Sequence, residues 1–194
     1  MRRWKISNKI RSNDKYHRIL EAAVKVFARQ GFFQSTVSQI AKEAGVADGT
    51  IYLYFKNKDD ILVQFFSYKT KQVFERFRKT VQKGDNAIEK LRNLLHRHLE
   101  EFQRDRDMAV VYQAETRRYS PLVKDQIKQM SKMYLDIVAE ILEQGQMEGS
   151  FRKDLYLSLA KRFVLGAVDE QINTWVLSGG NTISYPWLIR LLIC

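Results

Sequence analysis

His17, His96, His98 and Cys194 are the side chains best suited to nucleophilic, acid–base or metal chemistry. His96 and His98 stand two apart, so on a helix they diverge and do not share a metal ion. Cys194 lacks a partnered base, and no glycine-rich loop ending in Lys-Ser or Lys-Thr cradles a phosphate. The expectation is no enzyme, no metal and no cofactor. A different chemistry is concentrated in residues 35–58, STVSQIAKEAGVADGTIYLYFKNK. Thr36, Ser38, Thr50, Tyr52 and Tyr54 bring hydroxyls, Gly49 leaves room for close approach, and Lys58 adds a cation. That set suits hydrogen bonding to a polar, negatively charged surface.

The elements that must position these groups are two helices of under three turns either side of a tight turn, Gly45-Val46-Ala47. Ala41 is small where the helices cross, and Gly45 sits where the turn needs a left-handed residue. Ile40, Val46, Ile51 and Tyr54 supply a small core. This is a helix-turn-helix arrangement, whose second helix enters the DNA major groove. Short helical hairpins with a glycine turn also occur inside other all-helical proteins.

The charge distribution bears on that choice. The chain has 33 Lys and Arg against 22 Asp and Glu, a formal +11, which favours a polyanionic partner. Residues 1–60 hold 12 of the basic residues against 6 acidic ones, and residues 1–13 hold five positive charges and no negative one. Those thirteen residues read either as a solvated arm or as an arm drawn to phosphates.

The rest of the chain reads as helix, for it has 2 Pro in 194 residues and little alternation of apolar and polar positions. A first helix, capped by Asn13 or Asp14, is expected to run to Gln30 and end at Gly31. A second opens at Ser35-Thr36 and stops at Gly45, and a third, capped by Asp48, ends near Phe55. Further helices are predicted over 58–84, 86–105, 107–118 and 120–144, the last opened by Ser120-Pro121 and broken at Gly145 and Gly149. An eighth is predicted over 154–177 and a short ninth over 185–193. The fold class is all-α, with an arm (1–13), three helices around the helix-turn-helix (14–57) and six more over 58–194.

A hydrophobic content of 45% suffices for a core, and a single Cys excludes a disulfide scaffold. No apolar run approaches the roughly 18 residues that cross a bilayer, so no membrane role and a cytoplasmic location are expected.

Residues 37–46 (VSQIAKEAGV), 49–58 (GTIYLYFKNK) and 59–62 (DDIL) together resemble the N-terminal signature of TetR-family transcriptional repressors. The likeness covers roughly residues 14–62, and the helix order of the remainder is similar to that family's ligand-binding half. The resemblance implies that Thr36 and Ser38 hold phosphates or reach a groove edge, and that Gly49 and Thr50 open the recognition helix. It implies base or phosphate contacts for Tyr52 and Tyr54 and a phosphate-anchoring role for Lys58. Phe55 reads as core. The family are homodimers on palindromic operator DNA, paired through their last two helices. The predicted eighth helix fits, with one apolar face at Tyr156, Leu159, Phe163 and Gly166 and another at Ala160, Val164, Ala167, Ile172 and Trp175. A central helix of a monomeric bundle would look similar.

Residues 108–113 (MAVVYQ) with Glu115 and Arg117, residues 166–170 (GAVDE) and residues 174–176 (TWV) resemble TetR-type regulators of fatty-acid degradation in bacilli. That implies a repressor of fatty-acid degradation genes, released by long-chain acyl-CoA. Such a site needs an apolar tunnel and cations for phosphates. The tunnel candidates are Met108, Val111, Tyr112, Met130, Met133, Tyr134, Phe163 and Trp175, and the phosphate candidates Arg104, Arg106, Arg117 and Arg118. All of these also read as core or as ordinary surface charge. A TetR-type repressor sensing lipophilic drugs would instead use Glu115, Asp169 and Glu170. A helical protein whose basic face binds an acidic protein or an anionic membrane is the remaining alternative.

Overall fold

A computed structural model describes the backbone of residues 2–179 and the side chains of residues 14–179. Among these, all regular structure is helical. The helices are α1 (Arg2–Gln30), α2 (Val37–Ala44), α3 (Asp48–Ile51), α4 (Lys58–Val81), α5 (Ala87–Arg104), α6 (Arg106–Arg117), α7 (Lys124–Glu148) and α8 (Leu157–Leu177). A 3-10 turn, Pro121–Val123, precedes α7. The predicted ninth helix lies outside the described residues. None of the described helices is long and apolar enough to cross a membrane.

Side-chain caps set most starts. The Asn57, Asn86 and Asp105 side chains accept from the backbone N–H of Asp60, Glu89 and Met108 and so open α4, α5 and α6. Thr36 opens α2 with a capping box: its hydroxyl accepts from the Gln39 N–H, and the Gln39 side chain accepts from the Thr36 N–H.

Five boundaries differ from expectation. Helix α1 begins at Arg2, so Asn13 and Asp14 lie within it and residues 2–13 of the expected arm are helical backbone. Asp48 is the first residue of α3 and not its cap; Ala47 precedes the helix without a side-chain cap. Helix α3 ends at Ile51, not Phe55, because Leu53 and Tyr54 bond three residues back, to Thr50 and Ile51. Ser120 and Pro121 open the 3-10 turn rather than α7 itself. Helix α7 runs through Gly145 and ends at Gly149, whose φ of 76° is left-handed. Gly145 serves packing instead: a Cβ there would run into the Phe151 ring.

The core has two parts joined by α4. Helices α1, α2 and α3 enclose Ile19, Ala23, Ile40, Ala41, Ile51 and Phe55, with Phe55 stacked on Tyr16. Beyond them α4, α5, α7 and α8 bury the predicted stripes, including Leu62, Phe66, Phe77, Leu95, Ile137 and Ile172. Helix α6 packs on α1, α5 and α8 and so touches both parts. Arg76 on α4 donates two hydrogen bonds, of 2.7 and 2.6 Å, to the buried Glu101 on α5, a bidentate pair that fixes the register of the two helices.

Candidate functional site

The turn after α2 is closed by Gly45 at φ 62° and ψ 42°, with its N–H directed at the Ala41 and Lys42 carbonyls. Ala41 is fully buried, as small as the crossing with α1 requires. This turn places α3 at the surface. Ser38, Gly49, Tyr52 and Leu53 are exposed, and Thr50 and Tyr54 are half-buried. No protein atom lies within 4 Å of a Cβ built on Gly49, so nothing inside the chain demands a glycine there. Tyr52 is 59% exposed while Phe55 is buried, which separates a surface aromatic from a core one. Thr36 is exposed, and although its oxygen caps α2, its hydroxyl proton stays available to an acceptor.

Lys58 departs from expectation. Its ammonium donates to the carbonyls of Phe32, Phe33 and Ser35 at 2.8, 3.2 and 2.8 Å and lies over the Phe32 ring. Three carbonyls use all three of its donors. Lys58 is therefore a clamp between α4 and the loop joining α1 to α2, not a cation open to phosphate.

In the second half, Phe65, Phe66, Val73, Phe74 and Phe77 of α4, His98 and Phe102 of α5, Met108 and Tyr112 of α6, Met130, Ser131 and Tyr134 of α7 and Leu165 of α8 surround an apolar cavity. Lys69 completes its wall, and about 590 Å³ lies between the walls, the mouth included. Of the tunnel candidates, Met108, Tyr112, Met130 and Tyr134 line this cavity. Burial holds the Tyr112 and Tyr134 hydroxyls protonated by pushing both well up, with Asp169 adding to the shift at Tyr112 and Tyr112 at Tyr134. Val111 and Trp175 are buried but do not line the cavity, and neither does the half-buried Met133. Phe163 points the other way and is 55% exposed.

Beside the cavity, and sharing Lys69 and Met108 with it, is a cleft lined by Gln72, Arg76, Arg97, Glu101, Arg104 and Asp105. Arg104 is the one predicted phosphate ligand found here. Arg106 is exposed at the start of α6, outside the cleft. Arg117 pairs with Glu170 of α8 at 2.9 Å. Arg118 lies over the Phe33 ring, 4.8 Å from its centre, and 3.6 Å from the buried Glu115. Arg117 ties α6 to α8 and Arg118 covers the loop between α1 and α2, and neither lines the cleft. Asp169 accepts from Gln113 at 3.1 Å, and burial raises its carboxyl. None of Glu115, Asp169 and Glu170 reaches the cavity, whose wall carries no carboxylate.

Sequence reasoning missed Lys69, Arg76, Arg97 and His98. His98 was findable, since Leu91, Leu95, His98 and Phe102 share one apolar face of α5. The cations were not, because their common cleft is made by two helices meeting. Among the described residues, no three His, Cys, Asp or Glu side chains cluster to hold a metal ion. Tyr156, just before α8, and Leu159 and Phe163 on it are exposed by 73, 64 and 55%, and a Cβ on Gly166 would meet nothing. An exposed apolar strip of this kind marks a contact surface.

This combination has known counterparts. Residues 19–65 match the family model described as bacterial regulatory proteins, tetR family, and residues 66–184 match that of the YsiA-like protein C-terminal region. The fatty acid metabolism regulator protein of Bacillus subtilis is 42% identical over 164 residues, 84% of each chain. Among solved structures, the fatty acid degradation regulator FadR from Bacillus halodurans superimposes with a TM-score of 0.83 at 35% identity, covering 92% of both chains. FadR from B. subtilis, solved in complex with stearoyl-CoA, superimposes with a TM-score of 0.81 at 38% identity, covering 92% of this chain and 95% of that one. The chain belongs to the TetR family of bacterial transcriptional regulators.

Proposed function

We propose that this regulator is a homodimeric repressor of fatty-acid degradation genes that leaves a palindromic operator when it binds a long-chain acyl-CoA. The carrying observation is the junction at Lys69 and Met108, where an apolar cavity opens beside a cationic cleft. The cleft's cations, Lys69, Arg76, Arg97 and Arg104, exceed its carboxylates, Glu101 and Asp105, even though Arg76 and Arg97 share Glu101 and Lys69 pairs with Asp105. An acyl chain takes the first environment and the nucleotide phosphates the second. The stearoyl-CoA complex of the similar B. subtilis protein supports the same ligand class. A cavity without a carboxylate suits a cationic drug poorly.

Residues 14–57 read DNA, with Tyr52, Tyr54, Gly49 and Thr50 toward the bases and Thr36 and Ser38 toward phosphates. Residues 58–194 bind the effector and, through the exposed strip on α8, a second copy. Met108 and Tyr112 form cavity wall on α6, which also packs on α1. Arg118, just past α6, touches Phe33 in the loop that Lys58 pins. An effector that fits one position of α6 better than the other shifts the population of dimers whose recognition helices suit adjacent grooves. On this reading the protein acts on the chromosome, in the cytoplasm, and catalyses nothing.

The test is binding to a labelled operator recovered from random duplexes. Release by stearoyl-CoA, with none by free CoA or by stearate alone, is the expected result. Operator binding indifferent to all three would overturn the effector assignment and leave the DNA reading intact.

A further inference from the structure

The cavity wall contains two polar groups with no partner. Tyr134 on α7 is 2% exposed and His98 on α5 is 8% exposed. The Tyr134 hydroxyl and the His98 Nδ1 are both enclosed, and neither has a hydrogen-bond partner among the described residues. Their ring centres lie 4.8 Å apart. Around them stand Phe77, at 6.0 Å from Tyr134 and 5.3 Å from His98, and Phe102, at 5.6 Å from His98. Burial pushes the imidazolium down to about 3, so at neutral pH the imidazole is uncharged and the phenol protonated.

Orphaned polar atoms in a buried apolar wall are rare, because each loses its bonds to water and gains none in return. A purely hydrocarbon ligand would leave both unsatisfied. Phe and Leu in these two places would serve such a ligand better and stabilise the core. Two hydrogen-bonding groups on neighbouring rings, 4.8 Å between centres, offer partners to an oxygen instead.

We propose that Tyr134 and His98 form a polar subsite that hydrogen-bonds an oxygen on the buried part of the effector. This rests on the acyl-CoA reading and sharpens it. The Tyr134 hydroxyl donates to that oxygen, and the imidazole N–H of His98 is its second donor. The oxygen has two sources within an acyl-CoA: the thioester carbonyl, or a hydroxyl or keto group along the chain. In either case the subsite distinguishes an oxygen-bearing effector from a hydrocarbon of equal length.

The experiment measures the affinity of the full chain for stearoyl-CoA, for the thioether S-octadecyl-CoA, which lacks the carbonyl, and for β-hydroxystearoyl-CoA. Wild type and Tyr134→Phe are compared. If the carbonyl is the partner, wild type prefers stearoyl-CoA to the thioether by about tenfold, the size of one buried hydrogen bond, and Tyr134→Phe levels the two. If a chain oxygen is the partner, wild type prefers β-hydroxystearoyl-CoA by a similar factor and the variant loses that preference. Identical ranking of the three ligands by both proteins overturns the subsite while leaving the acyl-CoA reading standing. Failure of wild type to bind any of them overturns both. Thermal melting gives a control independent of ligand. Without ligand, Tyr134→Phe is expected to melt at or above wild type, since it removes an unpaired buried hydroxyl. A lower melting temperature would show that the hydroxyl is already satisfied within the protein and would also overturn the subsite.

Discussion

The DNA-reading surface and the effector cavity are built on opposite plans. The first takes its residues from one stretch, 36–54, and holds them outward on two short helices, with Ser38 and Tyr52, its proposed phosphate and base contacts, exposed. The second draws its wall from α4, α5, α6, α7 and α8, from Phe65 to Leu165, and turns every contributor inward. A local surface can be altered one residue at a time without disturbing the fold. A wall shared among five helices registers any change in their packing, which is what a sensor requires.

The largest expected effect separates these plans through a third surface. Leu159→Asp with Phe163→Asp places two carboxylates in the exposed apolar strip of α8. Sedimentation should show monomers, and operator affinity should fall at least about 100-fold, the loss of a central interface anchor. The cavity lies within one chain, so stearoyl-CoA binding should persist. A variant that stays dimeric and binds its operator normally would remove the strip from the dimer interface.

Next is Tyr52→Ala. Loss of a base or groove contact costs on the order of 1–3 kcal/mol at the preferred site, whereas random duplexes, held through phosphates, should bind as before. Stearoyl-CoA affinity should not change. Equal losses on specific and random DNA would make Tyr52 a phosphate contact.

These two plans also explain what the sequence disclosed. The helix-turn-helix was legible because its signals are neighbours: Thr36 with Gln39 for the cap, Ala41 with Gly45 for the crossing and the turn. Helical stripes such as Leu62, Phe66, Val73 and Phe77 were legible by their spacing. Partners contributed by other elements were not. Nothing near Lys58 in the chain says that three carbonyls of residues 32–35 occupy it, and nothing near Arg117 announces Glu170. Gly145 showed the limit of a local rule, since a glycine read as a helix end is a close-packing site for Phe151. Four of the eight tunnel candidates line the cavity; the periodicity that puts Val111 and Trp175 in the core does not say which side of the core is hollow.

Acid sharpens the contrast further, because a titrating group is locked inside one region only. His98 is held near 3 by burial against about 6.5 in the unfolded chain. Its folded pKa is the lower one, so between those values the unfolded state binds the extra proton. Stability from this group therefore declines as pH falls below about 6.5, by about 1.4 kcal/mol per unit, and the decline stops near 3. Phe77, Phe102 and Tyr134, its ring neighbours, supply no charge to offset it. Denaturant unfolding at pH 7 and pH 5 should show a shallower pH slope for His98→Leu than for wild type, whatever the variant's absolute stability. Parallel slopes would mean that His98 protonates freely in the fold.

The smallest effect tests whether the two regions communicate through the contact that joins them. Arg118 follows α6, which carries Met108 and Tyr112 of the cavity wall, and it covers the Phe33 ring in the loop leading to α2. A cation over an exposed ring is worth about 0.5–1 kcal/mol, so Phe33→Leu, which removes the ring and keeps Arg118 beside the buried Glu115, should barely change the melting temperature. Operator affinity without effector and stearoyl-CoA affinity without DNA should each stay within about twofold, because Phe33 is neither a proposed DNA contact nor cavity wall. What should shrink is the coupling between them, the factor by which saturating stearoyl-CoA weakens operator binding, by about two- to fivefold for an interaction of this size. Coupling is reciprocal, so the same factor should appear in the effect of operator DNA on stearoyl-CoA affinity. Undiminished coupling in both directions would place communication in the packing of α6 on α1 and leave the Arg118–Phe33 contact with no part in it.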